Sequence, residues 1–242
     1  MKRVINFSGG KTSALMTILL KPTSDDIVLF CDTGREHPLT YKFIDDFEKF
    51  ENIKVHKTIY IHDKSPNMSG FDALTNHKYL LPYRMKRYCT AELKVKTAKR
   101  YLRSLGIREF DNYIGFRYDD QKRIVAHKES FKKVKTFFPL NELKINKEMV
   151  NQYFLTKEYN LEIPSILGNC DLCFLKGKNV IINILKHYPE LADKWIADED
   201  KHPKSTYNEG ISYRQLLHIA QSQKTLFDLQ EQLPAYNCSC TS

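Results

Sequence analysis

The chain has 242 residues, 42% hydrophobic and 28% charged, with nine glycines and nine prolines, which excludes a linker-rich or low-complexity protein. No apolar run approaches the ~18 residues of a membrane span, and Asn6, Ser8 and Lys11 interrupt any leader-like stretch, so a cytoplasmic protein without membrane contact is expected. Basic residues outnumber acidic ones 38 to 29, and the net charge of +9 points to an anionic partner.

Residues 3–7 read as a short strand that turns through Ser8-Gly9-Gly10 into a helix carrying Leu15, Ile18 and Leu19. Residues 27–30 (IVLF) form a continuous apolar run, as in a strand covered on both faces. This strand ends at Asp32-Thr33-Gly34, and a helix follows over 41–50 with Phe43, Ile44 and Phe47 on one side. A third strand is expected over 55–61, and a helix over 90–105 with Leu93, Ala98, Leu102 and Leu105 inward. Tyr113-Ile114-Gly115 marks another strand end, and 134–138 the last strand. Such alternation predicts an α/β fold, an open, mostly parallel sheet with helices on both faces. Beyond Pro139 only helices are expected, over 148–158, 179–187, 191–197 and 213–221. The chain therefore divides into an α/β core, 1–140, and a helical C-terminal region, 141–242, that ends in a cysteine-bearing tail.

The positive charge is concentrated. Residues 84–103 contain eight basic side chains and one acid, Glu92, and a second basic stretch covers 122–135. A stripe of this kind attracts phosphates, whether of a nucleotide or of a polynucleotide acceptor, although a solvated lysine-rich helix face has the same composition.

Gly10-Lys11-Thr12 suggests a Walker loop, but that motif needs glycine five positions before Gly10, where Ile5 stands. What remains is a tight strand-to-helix turn, Ser8-Gly9-Gly10-Lys11-Thr12-Ser13, whose amides and hydroxyls face an anion at a helix N-terminus. A Gly9→Val substitution is expected to abolish nucleotide binding and leave the fold largely intact.

Ser-Gly-Gly-x-x-Ser after the first strand resembles the pyrophosphate-binding (PP) loop of the adenine-nucleotide alpha-hydrolase superfamily. Residues 30–40 (FCDTGREHPLT) and 115–120 (GFRYDD), with Arg123, are similar to the second- and fourth-strand signatures of the phosphoadenylyl-sulfate (PAPS) reductase family. Pro139-Leu140 and 168–173 (GNCDLC) match that family's later landmarks in order. The resemblance implies that an adenine nucleotide, ATP or an adenylyl sulfate, is held at strand ends by Ser8, Gly9, Gly10, Lys11, Thr12, Ser13, Asp32, Thr33, Gly34, Gly115, Arg117 and Arg123. Lys11, Asp32 and Arg117 are its candidate catalytic groups, with Mg²⁺ as a companion of ATP. Arg117 and Arg123 suit phosphate or sulfate oxygens, and equally an ion pair with Asp119 or Asp120. Thr12 stands where ATP-cleaving relatives often carry aspartate.

Six cysteines (31, 89, 170, 173, 238, 240) in a reducing compartment point to metal binding, catalysis or burial rather than disulfides. Cys170-x-x-Cys173 is half of a metal site. The family's iron-sulfur members and the phosphorothioation sulfurtransferases of DNA modification, which the 89–94 segment also resembles, imply Cys89, Cys170, Cys173 and Cys240 as ligands of a [4Fe-4S] cluster, with Zn²⁺ or a redox dithiol as alternatives. Cys240 is also in place to serve as a reductase nucleophile, and Cys238 shares either role; Cys31 reads as a small buried residue. Three functions follow from the resemblance. One is ATP cleavage to AMP and pyrophosphate for sulfur transfer, with a sulfur-donor protein; the second is sulfonucleotide reduction to sulfite; the third is nucleotide binding without turnover.

Overall fold

The computed structural model describes residues 1–130, 134–168 and 170–222. In chain order these form β1 (Lys2–Asn6), α1 (Lys11–Leu20), β2 (Ile27–Asp32), α2 (Pro38–Glu51), β3 (His56–Ile59), β4 (Ile61–His62), β5 (Ser65–Ser69) and α3 (Gly70–Asn76). A π-helical segment (Thr90–Lys96) runs into α4 (Thr97–Ser104), followed by β6 (Phe110–Tyr113), α5 (Gln121–Ser130), β7 (Thr136–Phe137), α6 (Pro139–Glu142) and α7 (Lys147–Leu155). Helices α8 (Lys178–His187), α9 (Ala192–Lys201) and α10 (Tyr213–Ser222) complete the described chain.

Five strands form one parallel sheet in the order β3-β2-β1-β6-β7. From β1 the chain moves outward to β2 and β3, then returns to place β6 on the other side of β1, paired from Lys2↔Phe110 to Ile5↔Tyr113. Strand order therefore reverses between β1 and β6, and a crevice opens there at the carboxyl ends of the strands. The sheet is covered on both faces, which explains the unbroken apolar run in β2. Ile5, Phe7, Val28 and Phe30 pack with α1, α2 and α7, whereas Val4, Ile27 and Leu29 pack with Leu102 of α4. A further core joins Phe71, Leu74 and Leu93 to Leu172, Ile181, Trp195, Tyr207, Tyr213 and Leu216. Trp195 is fully buried, and its indole N–H donates to Asp171 Oδ1 at 2.9 Å.

Three local expectations are corrected. The helix foreseen over 90–105 starts as a π-helical segment; the Thr97 hydroxyl donates to the Glu92 carbonyl at 2.8 Å, and β-branched Thr90, Val95 and Thr97 favour a regular α-helix poorly. Leu105, expected inward, stands at the helix end and is exposed. The strand expected over 55–61 breaks after Ile59, its last residue Ile61 opening β4, and the antiparallel partner β5 and α3 lie in a stretch where no strand or helix pattern was read. Gly70 opens α3 at φ +59°, where a Cβ would lie 2.5 Å from the Thr33 carbonyl oxygen, so only glycine fits this contact.

Candidate functional site

A cavity of about 320 Å³ occupies the β1/β6 crevice and extends beneath the sheet toward α4. The turn after β1 forms its mouth. The Ser13 hydroxyl donates to the Gly10 carbonyl at 2.9 Å and accepts from the Ser8 amide at 3.0 Å, which folds the turn back onto the helix. The first intrahelical bond runs from the Ala14 amide to the Gly10 carbonyl, so the amides of Lys11, Thr12 and Ser13 belong to the first turn of α1 and have no intrahelical acceptor. They carry the positive end of the helix dipole. Gly115, just after β6, brings the facing wall close: a Cβ there would lie 3.4 Å from Ser13 Cα.

Ser8, Gly9, Gly10, Thr12, Ser13, Gly115, Arg117 and Arg123 all line this cavity. Lys11, Asp32, Thr33 and Gly34 do not. Lys11 opens α1 beside the cavity, and partial burial lowers the pKa of its ammonium. Asp32 turns to its own loop, where Oδ1 accepts from the Gly34 amide and the Tyr41 hydroxyl, both at 2.8 Å. His37 caps α2, with Nδ1 accepting from the Leu39 amide.

Arg117 and Arg123 form the ion pairs that the sequence left open. Arg117 Nε lies 3.1 Å from Asp120 Oδ2 and 3.3 Å from Asp119, and Arg123 Nη1 lies 3.2 Å from Asp120 Oδ1. Burial of the Asp120 carboxylate raises its pKa, but the Arg117 amide and the two guanidinium groups outweigh that and hold it below the usual 3.8. The stability this provides is complete above the unfolded-state pKa and is lost as pH falls through the lower folded-state value. An Asp120→Asn variant should therefore melt at lower temperature than the parent at pH 7, and the gap should narrow between pH 5 and pH 2. A gap independent of pH in thermal melts would contradict this pairing.

Two lining residues were not singled out from the sequence. Glu36 is 9% exposed; burial pushes its pKa above 4.5, and it accepts from the Thr33 hydroxyl at 3.0 Å. Lys94, carried by the π-helical segment, brings a cation to the same cavity. Glu36 carried a signal as the acid in the turn after β2, whereas Lys94 was one basic residue among eight in its stripe.

The described cysteines do not gather. Cys170 Sγ lies 3.5 Å from the Thr33 hydroxyl, Cys173 is buried and Cys89 packs against the third core. Among the described residues no three His, Cys, Asp or Glu side chains form a group fit for a metal ion. Cys89, Cys170 and Cys173 thus do not fit a [4Fe-4S] cluster or a tetrahedral Zn²⁺ in this arrangement; Cys238 and Cys240 lie outside the described residues. Nor do the described residues form a carboxylate group for Mg²⁺: Asp120 is held by two arginines, and Glu36 accepts from the Thr33 hydroxyl. Cys31 lines the cavity, but burial pushes its thiol up to about 11, so it is protonated at neutral pH.

Residues 2–164 match the phosphoadenosine phosphosulfate reductase domain, more than half of the chain. The chain belongs to that family. Its similarity extends to an uncharacterized nin-region protein of Escherichia phage lambda, 29% identical over 206 residues that cover 75% of this chain and 68% of the phage protein. In this member of the phosphoadenosine phosphosulfate reductase family the matched segment contains the whole five-stranded sheet and every cavity residue named above. Among the described residues no helix is long and apolar enough to cross a membrane.

Proposed function

We propose that this protein binds an adenine nucleotide with its phosphate chain on the Ser8–Ser13 turn and cleaves ATP between the α- and β-phosphates, for sulfur transfer from a donor protein to a nucleic-acid acceptor. The observation that supports this reading is convergence: first-turn amides of α1, Lys94, Arg117 and Arg123 meet on one cavity at the topological switch point. An acceptor oxygen attacks the α-phosphorus, the bond to the bridging oxygen breaks, and pyrophosphate departs with that oxygen. A sulfur nucleophile then displaces AMP. The amides and cations stabilise charge that gathers on the leaving phosphates, and Lys11 adds a long-range positive field. In this reading Asp32 shapes the turn through Gly34 and Tyr41, and Thr33 and Gly34 act through that turn.

The family match favours a second reading, the reduction of an adenylyl sulfate. There the Cys240 thiolate attacks the sulfate sulfur, the nucleotide leaves through its phosphate oxygen, and a second thiol releases sulfite and closes a disulfide. Product analysis separates the two. With ATP, Mg²⁺, hydrosulfide and a nucleic-acid acceptor, AMP and pyrophosphate should appear in equal amounts. Sulfite from adenylyl sulfate without pyrophosphate from ATP would replace the first reading with the second, and nucleotide binding without either product would leave a binding protein.

A further inference from the structure

We propose that the outward face of the π-helical segment and α4, with the loop that precedes them, is a docking track for single-stranded DNA that leads to the cavity. The proposal rests on the functional reading only for where the track ends; the track itself stands on its own side chains.

Lys96, Lys99, Arg100 and Arg103 recur at i, i+3, i+4 and i+7, the spacing of one helix face, and all four are exposed. Leu93 and Leu102, on the other side, are buried. Several surface cations meet carboxylates: Lys2 with Asp25, Lys42 with Asp46, Lys57 with Asp45 and Glu48, Arg214 with Asp200. The track differs in density, with eight basic residues and one acid over 84–103. Glu92 bonds Lys96 at 2.9 Å and lies 3.8 Å from Lys78, but Arg84, Lys86, Lys99 and Arg103 have no carboxylate within ion-pair distance among the described residues. Arg84, Lys86 and Arg87 also precede a helix N-terminus, where positive charge opposes the helix dipole. An arrangement that costs stability in isolation is offset once a polyanion lies along it.

The adjoining loop carries the two most exposed large apolar side chains of the described chain apart from Met1, Met85 at 82% and Tyr79 at 76%. An exposed ring beside unpaired cations is the combination on which unpaired bases stack while their phosphates are neutralised. Lys99 connects track and site, because it lies in the exposed stripe and also lines the cavity. A cavity of about 320 Å³ is too small to take in a duplex. Its Lys and Arg side chains supply donors that suit phosphate oxygens.

Fluorescence anisotropy with labelled dT20 and the full chain tests this. Arg84→Glu/Lys86→Glu/Arg103→Glu should weaken binding at 50 mM salt at least tenfold and flatten its salt dependence. A control with the same change in charge on exposed residues of the C-terminal region, Lys194→Glu/Lys201→Glu/Lys204→Glu, should weaken it less than threefold. Tyr79→Ala should weaken it several-fold without altering the salt slope. Equal losses in the two triple variants, no binding by the parent, or tighter binding of rU20 or duplex than of dT20 would overturn the proposal. ATP binding by the same samples keeps the two readings apart: the track variant should retain it, and a parent that binds dT20 but not ATP would refute the functional reading while leaving the track in place.

Discussion

Replacing Arg35 by alanine is expected to lower folding stability by about 3–5 kcal/mol, the cost of removing one partner of a buried ion pair. Arg35 lies in the turn after β2, and its guanidinium bonds Asp72 and, at 2.8 Å, Asp198 Oδ2. It also lies 5.3 Å from the ring centroids of both Phe71 and Trp195. Burial alone would lower its pKa, but Asp198 and Asp72 more than compensate and raise it. Asp198 further accepts from the Tyr207 hydroxyl at 2.7 Å and from the Thr75 hydroxyl at 3.3 Å. Without Arg35 this carboxylate keeps two hydroxyl donors and no cation. Nε and Nη1 of Arg35 are buried without hydrogen-bond partners, so the pair is an expensive arrangement that an uncharged replacement of both members would partly relieve. Arg35→Met/Asp198→Asn should thus recover at least half of the loss in urea denaturation. A deficit below about 1 kcal/mol for Arg35→Ala would show that the network does not tie the β2 turn to α9.

The adjacent glycines of the turn should respond in opposite ways. At Gly10 (φ −114°) a Cβ would meet nothing closer than Ser8 Oγ at 3.8 Å, and the residue lines the cavity. Gly10→Val should weaken ATP binding by tenfold or more in calorimetric titration and cost no more than about 1 kcal/mol of stability at this N-cap position. At Gly9 (φ +76°) a Cβ would lie 2.6 Å from Thr40 Cγ2. Gly9→Ala should cost about 2–4 kcal/mol from the clash and the left-handed backbone together, and Thr40→Ser, which removes that methyl, should restore part of it. Gly9→Val therefore does not spare the fold as the sequence suggested: Gly9 is fixed by packing against α2, and Gly10 is the position that reports on the ligand. Equal affinity in Gly10→Val and the parent would separate the turn from nucleotide binding.

Where the sequence carried a periodic signal, the fold was legible. The apolar run of β2, the Phe43-Ile44-Phe47 face of α2 and the Ser-Gly-Gly turn all reflect a local rule and a local structure together. The β4–β5 pair was hidden because SPNMS contains no alternation, and the pair is continued by a bond between residues ten apart, from the Gly70 amide to the Tyr60 carbonyl. The cavity was legible on its β1 and β6 sides, where glycines permit close approach, and not on its α4 side. No spacing rule announces a π-helical segment, and without it Lys94 is one cation among many. The pairing of Arg117 and Arg123 with Asp120 was open in the sequence because guanidinium forks serve carboxylates and phosphates alike.

In the proposed function the amides opening α1 receive the phosphates of an adenine nucleotide. Amide chemical shifts of the ¹⁵N-labelled chain during titration with a non-hydrolysable ATP analogue test it most directly. The largest changes are expected at Gly9 to Ser13 and at Gly115 to Arg117, reproduced in part by pyrophosphate alone. Saturable shifts confined to another surface, with those amides unmoved, would contradict it.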